Sequence, residues 1–163
     1  MLTLMLHRKE FGMLVIVGWN TKWERYADTP DINQDIFARR EVNIMDITPA
    51  AQRKEKKSIV NTINFDGAIL IDARGNVLHS GAMIEGLRPR ATARAVNPHG
   101  TGDLSSQFGF RKKVHMRHIA AITSSYLFKG TTIFTVSEET GDLHIFENGR
   151  IMYSSVKGEP TKR

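Results

Sequence analysis

Three short polar clusters hold the side chains best suited to chemistry, and each sits where an apolar run begins or ends. Asp66-Gly67 opens the run Ala68-Ile69-Leu70-Ile71. A glycine there lets backbone approach a ligand closely, and a carboxylate beside it can bind a divalent cation or accept a hydroxyl proton. Arg117-His118 begins a segment of helical spacing. At such a start the free amides and the dipole favour anions, and a guanidinium adds a two-pronged clamp for phosphate. Ser137-Glu138-Glu139-Thr140-Gly141 follows the run TTIFTV and offers a hydroxyl and two acids, a set suited to phosphate and metal. Each cluster also has a plain structural reading. A lone D-G is a helix-to-strand turn, an isolated R-H is a surface Arg beside a packed His, and S-E-E-x-G is a good turn sequence. Taken singly, the structural reading is the commoner one in each case.

The elements around them read as follows. GMLVIVG (12–18) is a buried strand bounded by glycines. Residues 19–41 form a polar loop with room for one helical turn, and 42–47 an edge strand or extended connection. Thr48 is an N-cap with Pro49 at the first helical position, and Ala51, Ile59, Val60 and Ile63 share a face, which predicts a helix to about Asn64. DGAILID (66–72) and VLHSGAM (77–83) are strands of a hairpin turning at Asp72-Ala73-Arg74-Gly75-Asn76. From Glu85 to about Lys113 the pattern gives way to Gly, Pro, Arg and Ser, a long irregular segment. MRHIAAITSSYLF (116–128) is helical, TTIFTV (131–136) a strand, 137–142 a turn, 143–153 a second hairpin about Asn148-Gly149, and the final residues a frayed tail. Mixed strands and helices predict an α/β (α+β mixed) fold with a central sheet.

The chain of 163 residues suits a single domain with a core over about 10–155, and its 40% hydrophobic and 25% charged residues suit a globular protein. No cysteine is present, which excludes disulfides and thiolate metal sites and fits a reducing compartment. No apolar run approaches the ~18 residues of a membrane helix, and MLTLMLHRKE is apolar then basic, the reverse of a signal peptide. The expectation is a cytoplasmic protein. Seven Arg and Lys residues between Gly86 and His118 face the single acid Asp103, so this stretch holds the whole net charge of +6. A polyanionic partner, nucleic acid or a triphosphate, would suit it, although a solvated loop is the commoner meaning of a charge run. Gly100-Thr101-Gly102 lacks the G-K-[ST] of a phosphate-binding loop, the six histidines lack metal-ligand spacing, and no serine has a nucleophile-elbow context. Trp19 and Trp23 suit core or sheet cover better than stacking platforms.

Order and spacing change the weight of the three clusters. DGAILID (66–72), RHIAA (117–121) and VSEETG (136–141), in this order, resemble the diadenylate cyclase family, most closely its archaeal branch. GMLVIVG, HSGAMI (79–84) and HIFENGRI (144–151) sit where that family has matching elements. The resemblance implies a twisted mixed central sheet flanked by helices, and a nucleotidyltransferase that condenses two ATP into cyclic di-AMP with Mg2+ or Mn2+. Two protomers would meet head to head, each 3′-hydroxyl attacking the other's α-phosphate, so at least a homodimer is implied during catalysis. By position, Asp66 would assist the hydroxyl near metal, Gly67 and Ala68 would line the ribose side, and Gly81 and the backbone about Ile84 would meet the nucleotide. Arg117 and His118 would face phosphates, Ser137 would touch phosphate, Glu138 would be the acidic metal partner beside Glu139, and His118 a further metal contact.

Two positions depart from the pattern. The family writes a small glycine-led turn before R-H, where this chain has His115-Met116, and often an Arg where this chain has Ile119. The 86–114 stretch reads as a basic loop insertion. The alternative is therefore a catalytically degenerate member that binds or senses nucleotide. A nucleic-acid-binding role through 86–118 ranks last, because no recognised nucleic-acid module accompanies the charge.

Overall fold

A computed structural model describes residues 12–31, 35, 37, 41–45 and 67–161. The expected helix over 49–64, Asp66 and the N-terminal MLTLMLHRKE lie outside the described residues. The described chain is of mixed α/β class, with a seven-stranded sheet in the order β2-β4-β3-β1-β5-β6-β7. The strands are β1 (Met13–Trp19), β2 (Ala27–Asp28), β3 (Ala68–Asp72), β4 (Val77–Ile84), β5 (Thr132–Val136), β6 (Leu143–Glu147) and β7 (Arg150–Ser154). The helices are α1 (Pro89–Val96), α2 (Leu104–Phe108) and α3 (Met116–Leu127), with a 3-10 turn at Thr21–Tyr26. Two compact units divide the chain, Val15–Glu85 and Gly86–Arg163, the latter joined by the chain up to Leu14.

In the 15–85 unit, β3 and β4 form the expected antiparallel hairpin. The Asp72 carboxylate builds its turn, accepting from the Arg74 and Asn76 amides at 2.8 Å each and from Asn76 Nδ2 at 2.8 Å. Gly75 supplies the positive φ of +89° that the turn requires. Ala68, Ile69, Leu70 and Ile71 are all buried, so β3 is apolar on both faces, as its unbroken run predicts. Trp19 is buried and meets Trp23 edge to face at 5.7 Å, which makes the tryptophans packing residues.

The region 19–41, read as polar loop, hides an anchor. Asp35 is 1% exposed. Its Oδ1 accepts from the Phe37 amide, the Ser80 amide and Ser80 Oγ at 3.0, 3.2 and 2.7 Å, and its Oδ2 lies 3.1 Å from His79 Nδ1. A buried carboxylate is tolerated when its lone pairs are filled this way. Nothing in the local sequence distinguishes Asp35 from its neighbours, because apart from the Phe37 amide its donors lie some 45 residues on.

In the 86–163 unit, β5, β6 and β7 form an antiparallel meander. The turn between β6 and β7 has Asn148 at φ +50° and Gly149 at +77°, the pair of left-handed residues that a two-residue hairpin needs. One face of α3 packs on this meander through small residues. Ser125 Oγ on that face accepts the Gly149 amide at 2.9 Å, which ties the hairpin turn to the helix.

Two expectations are corrected here. The stretch 86–114 is not one irregular loop but carries α1 and α2. Pro89 stands at the helix start of α1, and the face of α1 that packs is made of the small residues Thr92 and Ala93, which give no apolar periodicity. The second helix has a cap at each end: Asp103 Oδ1 accepts the Ser106 amide, and Gly109 closes it at φ +89°. The C-terminal tail is also not frayed throughout. Glu159, with its side chain 2% exposed, accepts from the Arg111 amide at 2.9 Å and from Ser154 Oγ at 2.5 Å, and lies 2.7 Å from His144 Nε2.

Candidate functional site

The start of α3 and the turn after β5, two of the three motif segments, meet inside the 86–163 unit. His115 is the N-cap of α3 in extended conformation, with no side-chain cap, so the first-turn amides keep their anion-binding character. Its imidazole lies 3.1 Å from Glu139 Oε2, and Arg117 Nη1 lies 3.7 Å from Glu138 Oε2. Both acids belong to the turn built by Ser137. The Ser137 amide donates to Asp142 O, its carbonyl accepts the Gly141 amide, and its hydroxyl accepts the Thr140 amide at 3.3 Å. The turn reading of S-E-E-x-G is thereby realised, and the same turn presents Glu138 and Glu139 to the helix start.

Gly12 is a residue that sequence reasoning passed over. A Cβ on Gly12 would lie 1.6 Å from Arg117 Nη1 and 3.2 Å from Glu138 Cβ. The guanidinium therefore occupies the space that any side chain at position 12 would fill. The only signal was the glycine that bounds GMLVIVG, which reads equally as punctuation. Met116 is 71% exposed and the His115 side chain 68%, so the bulky pair before Arg117 points outward rather than into the core.

His118, one residue on, faces the other way. It is 4% exposed, edge to face with His144 at 5.0 Å and with Phe110 at 6.1 Å. Its Nδ1 has no hydrogen-bond partner. Burial, then the positive fields of His144, His115 and Arg117, lower its pKa to about 4, so the ring is neutral at pH 7. Behind it, burial pushes the Glu159 carboxyl up, but hydrogen bonds from Ser154, the Arg111 amide and His144 outweigh this and hold it below the usual carboxylate value. Burial prevents the His118 ring from reaching a ligand at the surface as Arg117 can.

In the 15–85 unit the D-G question has a partial answer. A Cβ on Gly67 would lie 2.2 Å and 2.3 Å from Gly81 C and O and 2.7 Å from Ala82 N. Only glycine lets β3 start against β4 at this separation, so Gly67 is required by backbone contact, while Gly81 takes a positive φ of +72° that favours glycine. Ala68 is 0% exposed opposite Ala82, and Ile84 ends β4 opposite Ala27. Asp66 lies outside the described residues.

Among the described residues no group of three or more His, Asp or Glu side chains converges as a metal site. Glu138 is an exposed carboxylate that can offer oxygen to a hard cation, while His118 is walled in by rings. The described residues therefore do not by themselves fit a divalent ion. No described helix is long and apolar enough to cross a membrane.

No family model matches the chain, and no curated protein matches it. Solved structures similar in fold include the following two. A hypothetical membrane spanning protein from Bacillus cereus superposes at TM-score 0.54 and 20% identity, covering 94% of this chain. This chain spans only 60% of that protein's length. A double mutant of DacA from Staphylococcus aureus, a diadenylate cyclase, superposes at TM-score 0.50 and 17% identity, covering 90% of this chain and 76% of the other. At these identities the likeness is one of fold.

Proposed function

We propose that the protein is a diadenylate cyclase, a nucleotidyltransferase that joins two ATP molecules into cyclic di-AMP and releases two pyrophosphates. The observation that carries this reading is the meeting of Arg117 and Glu138 at 3.7 Å, drawn from two motif segments, in a fold similar to that of DacA. In each of two in-line displacements a ribose 3′-oxygen forms a bond to the α-phosphorus of the other nucleotide. The bond from that phosphorus to the bridging oxygen breaks, and the hydroxyl proton passes to a base, for which Asp66 is our candidate. Such a reaction needs positioning and charge neutralisation more than covalent help from the protein. Arg117, freed from Glu138 or shared with it, supplies a guanidinium to phosphate, and the α3 amides supply donors. By the resemblance, Ser137 would touch phosphate, and Gly67, Ala68, Gly81 and Ile84 would meet the nucleoside. Mg2+ or Mn2+ would accompany the nucleotide with Asp66 and Glu138 as oxygen donors and Glu139 nearby. His118 stands behind Arg117 as a neutral ring. The partner is a second copy of the chain, at least during turnover.

One observation favours a second reading, a degenerate member that binds nucleotide without turnover. His118, which the family pattern turns toward phosphate and metal, is buried here in an aromatic cluster. Incubation of the purified protein with ATP and Mn2+, with the product identified by mass, decides between the two. Cyclic di-AMP is expected, with at least a hundredfold less from Asp66→Asn. A dimeric, metal-loaded protein that ATP stabilises thermally without forming product would establish the second reading instead.

A further inference from the structure

The net positive charge of the chain has a structural focus that the cyclase reading does not use. α1, α2 and the segment leading into α3 enclose a cleft of about 490 Å3 within the 86–163 unit. This is within the ~300–1,000 Å3 of small-ligand sites. Arg90 and Arg94 from α1 and Lys113 from before α3 line it, over a floor that includes Leu104 and Ile119. Arg90 and Arg94 are one helical turn apart and both exposed. Like charges at that spacing disfavour a helix. None of the three cations pairs with a described acid. The one acid in the lining, Asp103, spends its Oδ1 on the Ser106 amide and hydroxyl at 2.9 Å each. Met116, the first residue of α3, also borders the cleft, so the positive end of that helix faces the same space.

We propose that this cleft is a binding site for the polyphosphate chain of a small ligand. Two guanidiniums and an ammonium, drawn from two separate segments and facing the single carboxylate of Asp103, leave the lining net positive and suit clustered phosphates. Among the described residues no aromatic ring lines the cleft to stack a base, and this disfavours single-stranded nucleic acid as the occupant.

The test is calorimetric titration of the full chain with inorganic tripolyphosphate, then with ATP, in the absence of divalent metal. Saturable binding of one tripolyphosphate per chain is expected, weakened at least tenfold in R90E/R94E and severalfold in the milder Arg94→Gln. It should be unchanged in Lys129→Glu, just beyond the far end of α3. Circular dichroism confirms that each variant is folded. Comparable affinity for ATP identifies the phosphate chain as the recognised part, and affinity more than tenfold tighter identifies a nucleotide; both support the site. No saturable binding, an equal loss in Lys129→Glu, or retained affinity in folded R90E/R94E and Arg94→Gln overturns it. Binding of a 20-nucleotide single strand without tripolyphosphate binding would replace it with a nucleic-acid surface.

Discussion

The surface where Arg117 meets Glu138 and the cluster around His118 begin one residue apart in the chain and are held by different physics. Glu138 is 68% exposed, as is His115, so the His115–Glu139 pair lies in water and the Arg117–Glu138 pair at its edge, with Arg117 23% exposed. Such pairs contribute about 0–1 kcal/mol to stability. Beneath them, His118, His144, Phe110 and Phe146 stack edge to face and face to face, with Glu159 closing the far side. There every polar atom is costly unless filled, and Glu159 fills three of them. The outer layer can be rearranged at little energetic cost, which suits groups that must exchange partners with a ligand. The inner layer cannot.

Removing the inner carboxylate should have the largest effect. Glu159→Ala leaves His144 Nε2, the Arg111 amide and Ser154 Oγ without their acceptor, and should lower unfolding free energy by about 3 kcal/mol in urea titration. A change below ~1 kcal/mol would mean that the tail does not hold the cluster.

Next in size is a pH effect with a defined window. His118 has a folded pKa of about 4 against 6.5 in the unfolded chain. Above pH 6.5 both states are neutral. As pH falls, the unfolded ring takes up a proton that the folded ring refuses until about pH 4, so stability declines through this window by about 3 kcal/mol at most. Protonation of Glu159, whose folded value is also lowered, takes more as the pH falls further. His118→Phe should flatten the pH 4 to 6.5 slope while remaining folded, because it removes the titrating group and the unpartnered Nδ1 together. An unchanged slope would assign the acid sensitivity elsewhere. Cyclic di-AMP yield from the same variant sharpens the comparison, since a ring that only packs can be replaced without losing turnover.

The smallest stability effect belongs to the outer layer. Glu138→Ala should shift unfolding by less than ~1 kcal/mol, yet lower cyclic di-AMP formation at least tenfold. A large loss of stability would show that the turn is part of the scaffold rather than a presenting surface.

Much of the fold was legible because it rests on local chemistry. Asp72 and Gly75 make their hairpin from side-chain bonds and a positive φ within five residues, and Asn148-Gly149 does the same. β3 is legible from four consecutive apolar residues. The helices of 86–114 were obscured because α1 packs through Thr92 and Ala93, although the caps Asp103 and Gly109 were there to be read. Within the candidate site, the meeting of the α3 start with the Ser137 turn was suggested only by resemblance. The place of Gly12 beneath Arg117 was not suggested at all.

The sequence by itself determined the hairpins, the helical run from Met116, the concentration of charge in 86–118 and the three motif segments, all of which depend on residues near each other in the chain. Only the tertiary structure decided which polar groups became interior. Asp35 and Glu159 look like ordinary surface acids until donors as far as 45 residues onward and 48 residues back are found for them. It also separated Arg117 from His118, laying one over Gly12 toward Glu138 and turning the other into a shell of rings. In a helix adjacent residues point about 100° apart, and which of them meets the core is settled by what packs against the helix.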